Sequence, residues 1–508
     1  MHICVIGDGA AGLMAANFFA SRDYVKKLTH IGSSKIPSIG VGESTTLLFE
    51  ELHRAFDPDF DSFIRESDAC VKTGVMYSNW SKNEFLHYFK VPNTYERFGI
   101  SFLEYCNTLG NKDPDMFIHD LIAHKLYHDV KQNRIPTRKK NSFYGAAWHF
   151  DAGKYISYLK KILKTRWNNV TVLDDVVVDC KFKDDGVIDS ILLESNHTVE
   201  ADYYIIATGK SKKTADIFKI EYEDLSNVLL TDKALFFPKP YINKREEMHP
   251  YTIAKTMKNG WRWITPTWSR IGTGYVFSSN HITVEEVIEE FREDIGDNTI
   301  TPNVVDFHPK YSKRSFNKNY VTMGMCNGFL EPLDAPGLSI SCSLSIILDT
   351  MFDGGRYYHS IVDKTYDYNL DNLNDFAQHF YKGWAAFILT QYKTCYRSDT
   401  QFWIDHKNVK FDYLEDVLID LNSDINYSRG IVPAMDHFDC NDNISDMLDA
   451  FKINLITMLQ NTIASKDVQW QTKTTAMPYQ YDDPWYNSVD HYEFLQNIRN
   501  FNGDLTWH

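Results

Sequence analysis

His2-Ile3-Cys4-Val5-Ile6, followed by Gly7-Asp8-Gly9-Ala10-Ala11-Gly12 and then Leu13-Met14-Ala15-Ala16-Asn17-Phe18-Phe19-Ala20, opens the chain. An apolar run, a glycine turn and an Ala/Leu/Phe-rich segment predict strand, tight turn and helix. Gly7-x-Gly9-x-x-Gly12 in that setting lets backbone N–H groups approach a pyrophosphate, whose charge the helix dipole favours. The same triplet outside a strand-to-helix context is an ordinary turn. A dinucleotide cofactor that organises the fold follows, with Gly7, Gly9, Ala10, Ala11 and Gly12 as contacting residues.

Leu28 to Ile31 predict the second strand. The acid that usually ends it and binds the ribose hydroxyls falls near Gly32, which Ser33 and Ser34 follow. Either the Ser33 hydroxyl substitutes for that acid, or this end is merely a loop. The sequence contains no second GxGxxG, so a separate nicotinamide site is not evident and electrons arrive from another protein.

Val170 to Val178 and Val187 to Leu193 predict strands around the turn Asp184-Asp185-Gly186, and Tyr203 to Ala207 another. Asp151 caps a helix whose apolar residues are Tyr155, Tyr158, Leu159, Ile162 and Leu163. From about Leu344 onward the pattern is mainly helical, with Phe376, Phe380, Phe387 and Ile388 on one face. Strands and mixed segments first and helices last predict an α/β fold of mixed α+β character, a Rossmann-like lobe with a helical lobe packed on it.

The chain's 508 residues can bury a large core, more readily as two lobes than one. Its net charge of −15, from 53 basic and 68 acidic residues, argues against a nucleic-acid partner. Eight cysteines without CxxC or zinc spacing read as reduced thiols in a cytoplasm, with no metal site. The apolar N-terminus lacks the basic leader of a signal peptide, and no later stretch reaches the roughly 18 apolar residues of a membrane span.

Several separated segments resemble the tryptophan-halogenase family of flavin-dependent enzymes. They are Ile39-Gly40-Val41-Gly42-Glu43-Ser44-Thr45; Val71-Lys72-Thr73-Gly74-Val75 with Asn79-Trp80; His149-Phe150-Asp151-Ala152; Ala207-Thr208-Gly209; and Tyr396-Arg397-Ser398-Asp399 with Phe402-Trp403. Gly260-Trp261-Arg262-Trp263-Ile264-Thr265-Pro266 is similar to the family's WxWxIP signature. The markers occur in the family's order.

The resemblance implies a flavin-monooxygenase-type FAD-binding lobe over 1–345, with a substrate-side insertion at about 50–145, and a mainly helical lobe over 346–508. It implies FAD, used as FADH₂, with Gly42, Glu43 and Ser44 beside the flavin, and a separate NAD(P)H-dependent flavin reductase. The co-substrates are O₂ and a halide ion, and the substrate is an electron-rich aromatic small molecule. Oligomeric state is not legible; a homo-oligomer is compatible with it.

In the family the paired tryptophans wall off the flavin from the organic substrate, a task for Trp261 and Trp263 here. Two large rigid rings block oxygen transfer to an aromatic ring and leave a small halide to be oxidised instead. Without the resemblance, the two would be ordinary packing on one strand face. By the same resemblance, Lys72 stands where the family carries its lysine. If Cys70 to Met76 is one strand, Cys70, Lys72, Gly74 and Met76 share an otherwise apolar face. Desolvation there lowers the lysine pKa and leaves a neutral amine or an N–H donor for hypohalous acid. On alternation alone the ordinary reading is an edge-strand lysine facing water.

Phe329-Leu330-Glu331-Pro332-Leu333-Asp334-Ala335-Pro336-Gly337 resembles the segment in which a glutamate aids the lysine and two backbone amides hold the halide. Asp334 aligns with that glutamate, one methylene shorter, and Glu331 is the other candidate. Pro336 stands at an amide position without an N–H to offer, leaving Gly337. A lost donor penalises chloride most, as the most strongly hydrated of the heavier halides, so bromide or iodide is expected over chloride. The segment is also a helix start, with Asp334 as cap and Pro336 in the first turn. Tyr479, Tyr481, Trp485, Tyr486, Tyr492 and Phe494 either line an aromatic slot or pack. Two rivals remain: a single-component FAD-dependent aromatic hydroxylase, a monooxygenase oxidising NAD(P)H itself, and a degenerate, non-catalytic flavoprotein.

Overall fold

The computed structural model describes residues 1–36, 43–80, 84–88, 129–138, 146–353, 370–415 and 486–500. The N-terminal apolar run becomes the central strand of a five-stranded parallel sheet. Its order is Tyr320–Thr322, Tyr203–Ile206, His2–Ile6, Lys27–Gly32, Val170–Asp174. Ile3, Cys4, Val5 and Ile6 are all buried, as a parallel sheet covered on both faces requires. After the glycine turn, the helix Ala10–Ala20 packs on the helix Ala152–Thr165, where Asn17 Nδ2 donates to the carbonyls of Leu13 and Leu159. Asp151 caps that second helix, accepting from the Lys154 amide at 3.0 Å. The fold is mixed α/β around a Rossmann-like sheet, as expected.

Two expected strands are each divided between sheets. Val170 to Val178 splits into Val170–Asp174, at the edge of the parallel sheet, and Val177–Phe182, paired antiparallel with Ile188–Leu193. The Asp175 amide donates to Gly32 O at 2.8 Å, and the chain then leaves the sheet. Cys70 to Met76 likewise splits at Thr73, whose amide and hydroxyl both donate to Pro250 O, at 2.8 and 2.7 Å. Cys70–Lys72 joins Ala147–Phe150 and Glu43–Ser44 in a three-stranded sheet. Gly74–Ser78 enters a seven-stranded sheet that also contains Thr252–Met257, Gly260–Pro266 and Ile271–Phe277. Lys72 and Gly74 therefore do not share a face of one strand.

The helices Pro336–Asp353, Leu370–Lys393 and Gln401–Asn408 follow. Phe376, Phe380, Phe387 and Ile388 are buried, but so is every residue from Trp384 to Tyr392, so this helix is enclosed on all sides there rather than on one face. The helical run is not unbroken: Tyr486–Asp490 is a strand paired antiparallel with Arg134–Arg138, and the helix His491–Asn500 follows it. Among the described residues no helix is long and apolar enough to cross a membrane.

Candidate active site

Gly7 lies at φ +129°, and a Cβ there would sit 2.1 Å from Ala207 O. Only glycine fits that turn. At Gly12 a Cβ would meet Gly7 O at 2.4 Å, whereas at Gly9 and Gly337 it would meet nothing within 4 Å. Space is thus open in front of the uncapped N-terminus of Ala10–Ala20, where Gly9 is the N-cap, and at the start of Pro336–Asp353. Backbone donors of a first turn facing open space fit the pyrophosphate of a dinucleotide. Gly42 lies outside the described residues, and Glu43 is seen only through its backbone pairing with Phe150. Ser44 Oγ lies 3.3 Å from Thr252 Oγ1. Ser33 is buried, its Oγ accepting from the Lys35 amide.

Lys72 is fully buried, and its Nζ donates to Thr45 O at 3.0 Å. Burial pushes its pKa down to about 7, partly opposed by the Asp334 carboxylate. Thr45 is itself fixed: its Oγ1 donates to Trp148 O at 3.0 Å and accepts from Trp148 N at 2.8 Å. The next residue, Thr46, donates through Oγ1 to Ser339 Oγ on the helix Pro336–Asp353, at 3.0 Å. Thr45 and Thr46 thereby join the lysine strand to the start of that helix. Below the lysine, the Val71 amide donates to His491 Nε2 at 3.2 Å. Burial holds His491 down to about 4, and burial together with Lys72 holds neighbouring His149 well below the usual histidine range.

The segment ahead of Pro336–Asp353 carries both candidate carboxylates, in different surroundings. Asp334 and Ala335 take left-handed backbone angles, φ +59° and +61°. Asp334 does not turn back to cap the helix; its carboxylate accepts from the Tyr77 hydroxyl and faces His87 Nδ1 at 3.3 Å. Pro336 is the helix's first residue, where its missing N–H breaks no helical bond. Glu331 is fully buried and accepts from Thr231 Oγ1 at 2.5 Å, Tyr392 OH at 3.0 Å and Trp261 Nε1 at 3.2 Å. Burial raises its pKa to about 7, against the pull of those donors. The Asp334 charge bears on the Lys72 amine, raising its pKa against the effect of burial.

Trp261 and Trp263 sit on the strand Gly260–Pro266 with ring centroids 6.3 Å apart and planes at 59°. Gly274, opposite Trp263 on the next strand, makes room for its indole: a Cβ there would lie 2.1 Å from the ring. Arg262, between them, turns to Asp294 and Thr273. Of the aromatic C-terminal set, Tyr479, Tyr481 and Trp485 lie outside the described residues, as does the Tyr486 side chain. Tyr492 stacks on Trp268 and Phe494 is core, so these two pack. Tyr77, His87, Thr231, Tyr392 and Thr45's carbonyl were not singled out from the sequence. Nothing local marks them; each acquires its partner only when distant segments meet.

A Rossmann-like fold with a fully buried amine that feels the Asp334 carboxylate, and a tryptophan pair bonded through Trp261 to Glu331, is the class this geometry defines. The tryptophan halogenase family model matches residues 2–424, and the chain belongs to that family of FAD-dependent oxidoreductases. It is 26% identical over 433 residues to Tryptophan 7-halogenase RebH of Lentzea aerocolonigenes, covering 80% of this chain and 79% of that protein. With Tryptophan 7-halogenase KtzQ of Kutzneria sp. (strain 744) it shares 27% over 435 residues, 80% and 79% of the two chains. The solved tryptophan halogenase from Shewanella frigidimarina NCIMB 400 superposes with a TM-score of 0.76 at 20% identity, over 99% of this chain and 98% of that one.

Proposed function

We propose that this chain halogenates an electron-rich aromatic or heteroaromatic small molecule in the cytoplasm, with bromide or iodide preferred over chloride. Reduced FAD, supplied by a separate NAD(P)H-dependent flavin reductase, provides with O₂ the two-electron oxidation of the halide. Gly7, Gly9, Ala10, Ala11 and Gly12 hold its pyrophosphate; Ser33 stands at the adenosine end, and Gly42, Glu43 and Ser44 beside the ring. Halide binds at Gly337, where Pro336 leaves one amide fewer to replace its hydration shell. Trp261 and Trp263 keep the organic substrate away from the flavin.

Lys72 then presents the halogen. Near pH 7 a substantial fraction of the amine is neutral, so it either donates an N–H to hypohalous acid or exchanges that hydrogen for halogen with release of water. Asp334 orients the amine or takes the proton that leaves the ring. Glu331, bonded to Trp261, is the second candidate for that carboxylate role. The division into a flavin-binding part, 1–345, and a helical part, 346–508, belongs to the same proposal.

The observation that carries this reading is the complete burial of Lys72, bonded to Thr45 O next to the residue that links to the helix Pro336–Asp353, within the electrostatic influence of Asp334. Its test is turnover of a panel of phenols, indoles and pyrroles with a generic flavin reductase, NADH, FAD and each halide, followed by mass spectrometry. Halogenated product, with bromide or iodide outcompeting chloride, is expected. Equal or better chloride use in competition refutes the halide preference. Halide-independent oxygen insertion would instead identify a hydroxylase, and bound FAD without any product a non-catalytic flavoprotein.

A further inference from the structure

The strand Lys27–Gly32 ends on a glycine where an acid usually grips the ribose of a dinucleotide. Another carboxylate occupies that place. A Cβ built on Gly32 would lie 2.7 Å from both Cγ and Oδ1 of Asp8, so a side chain at position 32 would have to displace the Asp8 carboxylate from the place it occupies. The two positions are complementary: the phosphate turn carries an acid between its first two glycines, and the strand end carries none. We propose that Asp8 binds the adenosine ribose hydroxyls of FAD, in place of an acid at position 32. This rests on the FAD assignment made above.

An acid inside a phosphate cradle would by itself repel the pyrophosphate. Lys160, on the helix Ala152–Thr165, forms an ion pair with Asp8 Oδ2 and offsets that charge. His30, which contacts Gly7 O at 3.1 Å, lies 3.9 Å from Asp8 Oδ1. The Asp8 side chain keeps 18% of its exposure, so the ribose diol can reach it. Neither serine at this end offers the same: Ser33 is a buried, neutral hydroxyl that accepts from the Lys35 amide, and Ser34 gives both its amide and its hydroxyl to Asp174, each at 2.8 Å.

The test is a fluorescence titration of the flavin-free full chain with FAD and with FMN, which lacks adenosine. Asp8→Asn keeps shape and removes charge. It is expected to weaken FAD roughly tenfold or more, the loss of charge-assisted hydrogen bonds, and to leave FMN unchanged. Gly32→Glu alone, forced against Asp8, is expected to lose FAD, and the exchange Asp8→Gly with Gly32→Glu to recover it. If Asp8 served only its ion pair with Lys160, Asp8→Asn would bind FAD equally or more tightly, because a charge near the phosphates is gone. That result, an equal loss of FAD and FMN, or an exchange variant that melts normally but recovers nothing would each overturn the assignment of Asp8. A wild-type chain that binds neither flavin overturns the FAD assignment itself.

Discussion

Lys72 and Glu331 are both buried groups whose neutral forms are favoured, and they move stability with pH in opposite senses. Glu331 is raised from 4.5 to about 7, so across that window the native state holds the extra proton and stability falls as pH rises. Lys72 is lowered from 10.5 to about 7, so across pH 7 to 10.5 the unfolded chain holds the extra proton and stability rises. A tenfold change in proton affinity is worth about 1.4 kcal/mol, so each limb amounts to a few kcal/mol. In denaturant midpoints measured against pH, Glu331→Gln is expected to flatten the lower limb. Lys72→Met is expected to flatten the upper limb and to stabilise most at pH 7 and below. Parallel curves for wild type and variants would contradict these burial effects. The sequence placed the amine on apolar surface only on the premise that Cys70, Lys72, Gly74 and Met76 share one strand face; the lysine is buried although that strand breaks at Thr73. Nor did the sequence reveal Tyr77 or Tyr392, whose hydroxyls reach carboxylates 257 and 61 positions away.

At the scale of elements, the proposed halide preference rests on the start of Pro336–Asp353. Two consecutive non-glycine residues in left-handed conformation, Asp334 and Ala335, cost about 1–2 kcal/mol each and aim the Asp334 carboxylate at Tyr77 and His87. Pro336→Ala returns an N–H to the first turn. Its expected effect is a rise in the chloride-to-bromide turnover ratio of roughly 3- to 10-fold, the worth of one hydrogen bond. An unchanged ratio in direct halide competition would mean that Pro336 plays no part in halide choice. The glycine turn and its flanking strand and helix were legible because that motif is local. The breaks at Thr73 and Asp175 were not, since both residues sit in runs of strand-forming side chains. Which sheet a run joins depends on its partners: Ala147–Phe150 for one half of the lysine segment, Thr252–Met257 for the other.

Across the whole molecule, the C-terminal strand and helix fold back onto the lysine strand. His491 takes the Val71 amide, and Arg499 donates to Ile64 O and Arg65 O at 2.9 and 3.1 Å. Phe494, Leu495 and Ile498 are buried against the core. Truncation after residue 485 is therefore expected to lower the thermal midpoint by several degrees, read by differential scanning fluorimetry, since each lost kcal/mol shifts a large domain by about 2–4 °C. An unchanged midpoint would mean this segment does not support the site. The sequence placed helices here and gave no sign of the strand Tyr486–Asp490, whose pairing partner lies some 350 residues earlier, at Arg134–Arg138. The central claim is that a buried amine hands the halogen to the substrate. It is tested most directly by the yield of brominated product from wild type and Lys72→Ala at equal bound FAD. Product from the wild type and at least a hundredfold loss in the variant, with its flavin spectrum intact, is expected. Undiminished bromination by Lys72→Ala would contradict it.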